Sequence, residues 1–285
     1  MSFRTAVAWL VSGALASVAF GAQADTLDQI RKSGEIRLGY RVDAPPMASN
    51  DANGQAVGYS VDLCRRIATA VKEELKLASL KVTMVPLTSQ DRIDAIVNNK
   101  ADIECGATTI TLSRRKQVDF TAMTFVTGGS LLSLAHSGID SVAKVAGKSV
   151  AVVGGTTTES ALKEYLSKSL IDAKVVVVPN RDEGMKQLDS KQVDAFAGDQ
   201  IVQIGLIMRA ADKSAYTLTR DLFSYEPYGF MVRRNDAGFR LVADRALAQI
   251  YRDGIERLYM LWFGTAGIRP SGVLTAVYTL GALPE

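Results

Sequence analysis

Residues 102–115 read DIECGATTITLSRR, a short apolar strand that leads through a turn of small residues into a helix that opens with arginine. Gly106 and Ala107 project little bulk, so a ligand can approach the backbone there. Thr109 offers a hydroxyl beside amides that a helix start leaves unpaired, and Arg114 supplies a planar fork of donors that suits a carboxylate. The segment predicts either an anion site or an ordinary strand, turn and helix with a capped start.

The same unit of strand, turn and helix recurs on both sides of this segment. Sequence patterns predict strands at 35–40 and 81–86 before it, and at 149–153, 174–178 and 193–197 after it. Each of these strands is followed by a polar loop or a predicted helix. This alternation is typical of an α/β protein with open, mostly parallel sheets, in which ligands bind beyond the carboxyl ends of the strands.

Polar side chains collect where the predicted strands end. The candidates are Arg41, Ser89 with Arg92, Thr109 with Arg114, Thr156 with Thr157, Arg181 and Asp199. Loops are polar in general, so one such placement has little meaning. Six connections, four of them with arginine, converge on the same edges of the predicted sheets. They indicate a site for a small anionic molecule.

The first 24 residues are predicted to be a cleaved signal peptide. Arg4 is followed by an apolar run at 6–20 and by Ala-Gln-Ala at 22–24, which fits a secretory cleavage site. The run is shorter than the about 20 residues of a membrane span, and no later segment is apolar over that length. The rest of the chain is long enough for two domains, each with its own core. We therefore expect an exported, periplasmic protein.

The charge of the chain bears on its partners. The chain has 33 Lys and Arg against 30 Asp and Glu, and both signs are scattered, so we expect neither nucleic acid nor an anionic membrane as a partner.

The two cysteines allow two alternatives. In an exported chain, Cys64 and Cys105 can form a disulfide that closes a loop of about 40 residues. Cys64 lies on the apolar stripe of a predicted helix, so both sulfurs can equally be buried free thiols. The sequence leaves both alternatives open.

The chain offers little for metal or nucleophilic chemistry. His136 is the single histidine and the two cysteines are far apart in sequence, so we expect no metal site. Gly-Gly-Thr-Thr at 154–157 lacks the P-loop lysine and the glycine spacing of dinucleotide sites, and more simply caps a helix and offers amides to a carboxylate. Glu104, Asp119 and Glu226 are acids for which the sequence places no partner. No cofactor and no catalytic residue are expected.

Five stretches carry a resemblance to a known family: VGYSVD at 57–62, LTSQDR at 87–92, ECGATT at 104–109, GTTTE at 155–159 and YGFM at 228–231. With them, the chain resembles the family 3 periplasmic solute-binding proteins, in particular the members that serve glutamate and aspartate ABC transporters. The resemblance implies two α/β lobes joined by two crossovers, with the ligand in the cleft between them. It assigns residues 25–126 and 227–285 to lobe 1, and 127–226 to lobe 2. A monomer that delivers its ligand to an inner-membrane ABC permease is expected.

The resemblance also implies roles for the candidates at the backbone end of an amino-acid ligand. Arg114, Thr109 and the Ala107 backbone are expected to hold the α-carboxylate. Thr156 and Thr157 are expected to assist them from the other lobe. Asp199 matches the acid that pairs with the α-amine. Ala107 stands where a serine is usual in the family, which removes one hydroxyl contact.

At the side-chain end of the ligand, the resemblance assigns Arg41, Ser89, Arg92 and Arg181 to the second carboxylate. Arg181 stands where relatives carry histidine. Three clustered arginines that become buried repel one another unless an anion lies between them. This end of the pocket is therefore expected to require a charged carboxylate.

Two functions from different classes fit these residues. The first is capture of an acidic amino acid, glutamate or aspartate, for import. The second is a dehydratase-like enzyme on the same fold that acts on an acidic small molecule. An enzyme needs a general acid or base in the cleft, and Asp199 is the only acid that the sequence places at a strand end. We therefore predict a binding protein without enzymatic activity, and the sequence does not decide between glutamate and aspartate.

Overall fold

The computed structural model describes residues 25–284. The predicted signal peptide, residues 1–24, lies outside the described residues, as does Glu285. Within the described part, none of the helices combines the length and the apolar character that a membrane span requires.

Helices and strands alternate through most of this part of the chain. The α-helices are α1 (Thr26–Ser33), α2 (Tyr59–Glu74), α3 (Arg92–Val97), α4 (Thr157–Lys168), α5 (Arg181–Asp189), α6 (Gln200–Arg209), α7 (Ala237–Asp253), α8 (Ile255–Phe263) and α9 (Gly272–Gly281). The strands are β1 (Glu35–Arg41), β2 (Asp43–Ala44), β3 (Ala48–Asn50), β4 (Ala56–Val57), β5 (Lys81–Leu87), β6 (Ile103–Glu104), β7 (Val118–Phe120), β8 (Phe125–Thr127), β9 (Gly129–Leu134), β10 (Ser149–Val153), β11 (Lys174–Val178), β12 (Ala195–Asp199), β13 (Tyr216–Leu218), β14 (Glu226–Tyr228) and β15 (Met231–Arg233).

Two five-stranded sheets form the framework, with the orders β5-β1-β6-β15-β7 and β11-β10-β12-β9-β13. In the first sheet, β5, β1 and β6 are parallel neighbours, and β15 is antiparallel to both β6 and β7. The second sheet repeats this pattern with β11, β10 and β12 in parallel and β9 reversed between β12 and β13. One strand in five is reversed in each sheet, so the prediction of open, mostly parallel sheets is confirmed.

The chain passes between the two sheets twice, along β8 and β14, which pair antiparallel with each other. The ring of Phe125 on β8 lies 5.8 Å from the ring of Tyr59 and 5.4 Å from the ring of Phe263, so the crossing is anchored in the core beside the first sheet. Offset and edge-to-face aromatic contacts of this kind add to the burial of the rings. The crossing strands are therefore held firmly at the end that meets the first sheet.

Helix α2 differs from the prediction at its start. Its N-cap is Gly58, although a serine, here Ser60, is by residue type the expected cap before the apolar helix residues that follow. The hydroxyl of Ser60 instead donates to the carbonyl of Gly106 at 3.0 Å, inside the core. This contact ties α2 directly to the turn that follows β6.

The helix predicted to open with Arg114 is only a 3₁₀ turn over Arg114–Lys116. Helix α3 begins at Arg92 after Asp91, so Ser89 lies before the helix and does not cap it. The apolar residues near 228–233 form two short strands, β14 and β15, and not one.

The structure joins Cys64 and Cys105 by a disulfide, one of the two alternatives that the sequence left open. Cys64 lies on α2 and Cys105 follows β6, and both are fully buried. The crosslink therefore fixes α2 to the same turn that Ser60 contacts.

The double variant Cys64→Ala/Cys105→Ala tests what this crosslink contributes. The two cysteines are 41 residues apart, and closing a loop of that length stabilises a fold by about 4 kcal/mol in the chain-entropy model. We expect the variant to lose roughly that much free energy of unfolding in urea. Reductant should lower the wild-type midpoint toward that of the variant and leave the variant unchanged. Equal midpoints for oxidised and reduced wild type would show that the disulfide contributes nothing.

Candidate functional site

The candidate side chains lie in a cleft between the two sheets, and polar contacts cross this cleft. Gln90 Nε2, before α3, donates to the carbonyl oxygens of Gly154 at 3.3 Å and Pro179 at 3.1 Å, which follow β10 and β11. The hydroxyls of Thr109 and Thr157, which come from opposite sides, lie 3.1 Å apart. The carboxyl ends of the strands of both sheets therefore face each other, as the rule for open α/β sheets requires.

One end of the cleft holds three buried arginines. Arg41, Arg92 and Arg181 have relative exposures of 1%, 3% and 6%. Arg41 ends β1, Arg92 begins α3 and Arg181 begins α5. Three of the four side chains assigned to a distal carboxylate are thus brought together, and Ser89, the fourth, lies beside them because its carbonyl accepts a hydrogen bond from Arg92 Nη1.

Asp43 lies between two of these arginines and was not predicted. Its Oδ1 accepts hydrogen bonds from Arg41 Nη2 at 2.7 Å and from Arg181 Nη1 at 3.2 Å, and its Oδ2 accepts one from the Arg181 amide at 3.3 Å. Burial acts to raise the pKa of this carboxyl, but the charges of Arg181 and Arg41 outweigh it and lower the pKa to about 2. The chain itself therefore provides one anion between the clustered arginines.

Arg92 has no such partner. None of the ion pairs in residues 25–284 includes it, and its Nε and the hydroxyl of Ser89 are buried without a hydrogen-bond partner. Burial, followed by the charges of Arg41 and Arg114, lowers the pKa of Arg92 to about 9. A carboxylate beside Arg92 and Ser89 would relieve this destabilisation of the charged form.

Glu104 is a further buried acid at this end of the cleft. Its side chain is fully buried, and burial raises the pKa of the carboxyl, while the charges of Arg92 and Arg41 act in the opposite direction. Gly106 makes this packing possible, since a Cβ at that position would overlap Glu104 and press on Arg41. The small-residue turn of the 102–115 segment thus gives room to charged groups.

The other end of the cleft contains Arg114 and hydroxyls from both sides. Arg114 Nη1 donates to the Thr109 carbonyl at 2.7 Å. The hydroxyls of Thr109 and Thr157 donate to Glu226 Oε2 at 2.6 and 2.8 Å, and the hydroxyl of Ser224 donates to Glu226 Oε1 at 2.7 Å. Three of the residues assigned to an α-carboxylate, Arg114, Thr109 and Thr157, therefore lie together, beside an acid that the sequence could not place.

Asp199 lies close to Glu226 at this end. The hydroxyl of Thr158 donates to Asp199 Oδ1 at 2.7 Å, and the hydroxyl of Tyr228 donates to Oδ2. Burial raises the pKa of Glu226, and the charge of Asp199 raises it further. Two neighbouring carboxylates at the end of a buried cleft form a suitable environment for an ammonium group.

The Thr156 hydroxyl takes a different part. It donates to the Val153 carbonyl at 2.7 Å and accepts from the Glu159 amide at 3.1 Å, so it caps α4, although the residue lines the cavity beside Arg114 and Thr157. Ala107 is buried in the core beside the first sheet and offers only its backbone, the part that was assigned to the ligand. Among the described residues, no group of three or more His, Cys, Asp or Glu side chains is placed to hold a metal ion.

Comparison with known proteins agrees with this geometry. Residues 36–265 match the model of the bacterial extracellular solute-binding proteins, family 3. The L-glutamate/L-aspartate-binding protein of Pseudomonas aeruginosa is 35% identical over 250 residues, which cover 87% of this chain and 82% of that protein. The glutamate/aspartate import solute-binding protein of Escherichia coli K12 is 32% identical over 243 residues, 85% of this chain and 80% of that protein.

A solved structure with 31% sequence identity superimposes with a TM-score of 0.71 and covers 84% of this chain and 100% of its own. It is an ancestral amino-acid-binding protein that is a precursor of cyclohexadienyl dehydratase. The fold is therefore shared with proteins that bind amino acids.

Replacing Asp43 by asparagine tests the ion pairs at the distal end. The pKa of Asp43 is about 2 in the folded chain against 3.8 as its ordinary value, so its charge stabilises the fold above pH 4, and this contribution is lost as the pH falls toward 2. We expect the difference in unfolding free energy between wild type and Asp43→Asn to shrink by about 2 kcal/mol between pH 5 and pH 2.

Urea unfolding at a series of pH values measures this difference. Asp172→Asn, which removes an exposed acid elsewhere, is the control and should follow the wild-type curve. A difference between wild type and Asp43→Asn that stays constant from pH 5 to pH 2 would contradict the assignment of the ion pairs.

Proposed function

Since the chain belongs to the bacterial extracellular solute-binding proteins, family 3, we propose that it captures an acidic amino acid, glutamate or aspartate, and delivers it to an ABC permease. The observation that carries this proposal is the cleft with opposite charge at its two ends. Buried arginines lie at one end, with Arg92 unpaired, and the carboxylates of Asp199 and Glu226 lie at the other. An acidic amino acid carries a carboxylate for the first end and an ammonium for the second.

In this proposal, the ligand's α-carboxylate lies against Arg114, the hydroxyls of Thr109 and Thr157 and the Ala107 backbone. The support is that both hydroxyls are placed to donate to a carboxylate, since they donate to that of Glu226 at 2.6 and 2.8 Å. In this proposal the ligand's α-carboxylate takes over these two donors from Glu226. The α-ammonium faces Asp199. The capping role of the Thr156 hydroxyl leaves only the backbone of that residue for the ligand.

The ligand's second carboxylate is assigned to Arg92 and Ser89, with Arg41 and Arg181 behind them. Buried donors without a partner are costly, and those of Arg92 Nε, Arg41 Nε and Ser89 Oγ lie together at this end. A carboxylate satisfies several of them at once. The neutral amide of glutamine or asparagine offers a single acceptor oxygen and brings its own donors.

We also propose that the protein is not an enzyme. Glu226 is the acid in the cleft that best suits dehydratase-like chemistry, since its pKa is raised. Its two oxygens, however, accept hydrogen bonds from Ser224, Thr109 and Thr157, so both are engaged within the chain rather than directed at a substrate. Incubation with acidic cyclohexadienol substrates, followed by NMR, should show no dehydration beyond the buffer rate.

We also propose an arrangement of the two lobes, a cellular location and a partner on the basis of the family to which the chain belongs. Residues 25–126 and 227–285 form one lobe and residues 127–226 the other, with β8 and β14 as the crossings. The protein acts as a periplasmic monomer after removal of residues 1–24, and closure of the lobes over the ligand presents a surface to the permease.

Arg114→Ala is expected to abolish binding of glutamate and aspartate. Truncating one side of a buried charge pair costs about 2 to 5 kcal/mol, because the partner charge stays buried and unpaired. Calorimetric titration measures the loss. Arg115→Ala is the matched control, because Arg115 is the exposed neighbour and should leave affinity unchanged. Normal binding by Arg114→Ala would disprove the α-carboxylate assignment.

The wild-type protein is expected to bind glutamate or aspartate at least about a hundredfold more tightly than glutamine or asparagine, because an amide leaves the Arg92 charge without a counter-charge. Titration with all four amino acids provides the comparison. Arg92→Gln should strongly reduce the ratio between the affinity for the acidic amino acid and the affinity for its amide. Near-equal wild-type affinities for glutamate and glutamine would rule out an acidic ligand.

A further inference from the structure

Asp43 takes the place between Arg41 and Arg181 that a ligand carboxylate was expected to fill. The distances are 2.7 Å from Arg41 Nη2 and 3.2 Å from Arg181 Nη1, and the Arg181 amide adds a third donor at 3.3 Å. That amide belongs to the first residue of α5, so the positive end of the helix also faces the carboxylate. Asp43 thus bridges two guanidinium groups from opposite sides of the cleft and balances one of their two charges.

The donors that remain at this end are few and specific. Arg92 Nε, Arg41 Nε and the hydroxyl of Ser89 are buried, and none of them contacts a partner within residues 25–284. These three atoms are the buried donors at this end whose hydrogen-bonding capacity the described chain leaves unused, and a ligand anion can use it. The amide and the Nη1 of Arg181, in contrast, both contact Asp43.

The charges at this end can be counted. Arg41, Arg92, Arg181, Asp43 and Glu104 are all buried there. With both acids ionised, the five side chains carry one net positive charge. A buried charge is unfavourable unless a counter-charge pairs with it. The side chain of glutamate or aspartate brings a single negative charge.

We propose that Asp43 is a specificity-determining residue that restricts the distal group of the ligand to one negative charge. The inference rests on the proposed function, because it concerns the side-chain end of the same ligand. A carboxylate is received by Arg92, Ser89 and Arg41 Nε, while Arg181 stays with Asp43. A distal group with two negative charges, such as a phosphate monoester dianion, is repelled by the Asp43 carboxylate, which already pairs with two of the three arginines.

A purely structural role for Asp43 predicts a different result. If Asp43 only held the two sides of the cleft together, its replacement would weaken all ligands by the same factor. The ratio of two affinities therefore separates the two roles. L-Glutamate and O-phospho-L-serine are a suitable pair, because they share the α-amino and α-carboxylate groups and differ in distal charge. At pH 8 the phosphate is a dianion, since its second pKa is about 6.

Calorimetric titration with both ligands is the experiment. Wild type should prefer glutamate. Asp43→Asn should shift the affinity ratio toward O-phospho-L-serine by about tenfold or more, because it removes one buried negative charge close to the distal group. Arg181→Gln should shift the ratio in the opposite direction. The double variant Asp43→Asn/Arg181→Gln restores the net charge and should return the ratio to near the wild-type value, and Asp172→Asn should leave it unchanged.

If the affinity ratio is the same in wild type, Asp43→Asn and Arg181→Gln, this inference is overturned. The proposed function still holds in that case, provided that the wild-type protein binds glutamate. A wild-type protein that binds neither glutamate nor aspartate overturns the proposed function itself. If thermal melts show that Asp43→Asn does not fold, the affinity ratio measured with Arg181→Gln decides between the two roles of Asp43. A shift away from O-phospho-L-serine in that variant supports the inference, and an unchanged ratio refutes it.

Discussion

Burial of positive charge between the two sheets is the constraint on which the rest of the site depends. Arg41, Arg92, Arg114 and Arg181 are all buried at the ends of strands or the starts of helices. A guanidinium does not lose its proton under ordinary conditions, so each needs an anion or a carbonyl nearby. The Asp43 carboxylate accepts hydrogen bonds from Arg41 and Arg181. The Thr109 carbonyl accepts one from Arg114. Within residues 25–284, Arg92 has only the Ser89 carbonyl, and a ligand anion can supply the counter-charge that it lacks.

The backbone makes this concentration of charge possible. The turn after β6 carries Gly106, where a Cβ would overlap Glu104, and the same turn is tied to α2 by the Ser60 hydroxyl and by the disulfide. Because the turn is fixed on the side of the core, its other side can present charged groups in a defined arrangement. Preorganised polar groups of this kind lose little entropy when a ligand binds.

The sequence was sufficient to predict the sheets and most candidate positions, since runs of buried apolar residues mark strands and polar residues mark their ends. It was not sufficient for contacts between distant parts of the chain. Glu226 contacts Thr109 and Thr157, which are 117 and 69 residues away, and no local pattern reveals such a pairing. Asp43 lies two residues after Arg41, close enough to be noticed, but an acid in a proline-containing loop is ordinarily solvated. Of the adjacent Thr156, Thr157 and Thr158, the sequence could not tell which hydroxyl caps α4.

Selectivity and closure of the cleft are linked because the same groups serve both. The contacts across it are polar: Asp43 with Arg181, Thr109 with Thr157, Gln90 with Gly154 and Pro179, and Arg209 with Ser49. Polar groups are well hydrated when the two sides separate, so such contacts add little net free energy by themselves. A ligand shifts the equilibrium between open and closed forms only by its preference for the closed form. A ligand that pairs with Arg92 on one side of the cleft and with Asp199 on the other has that preference, because it contacts both sides only when the cleft is closed.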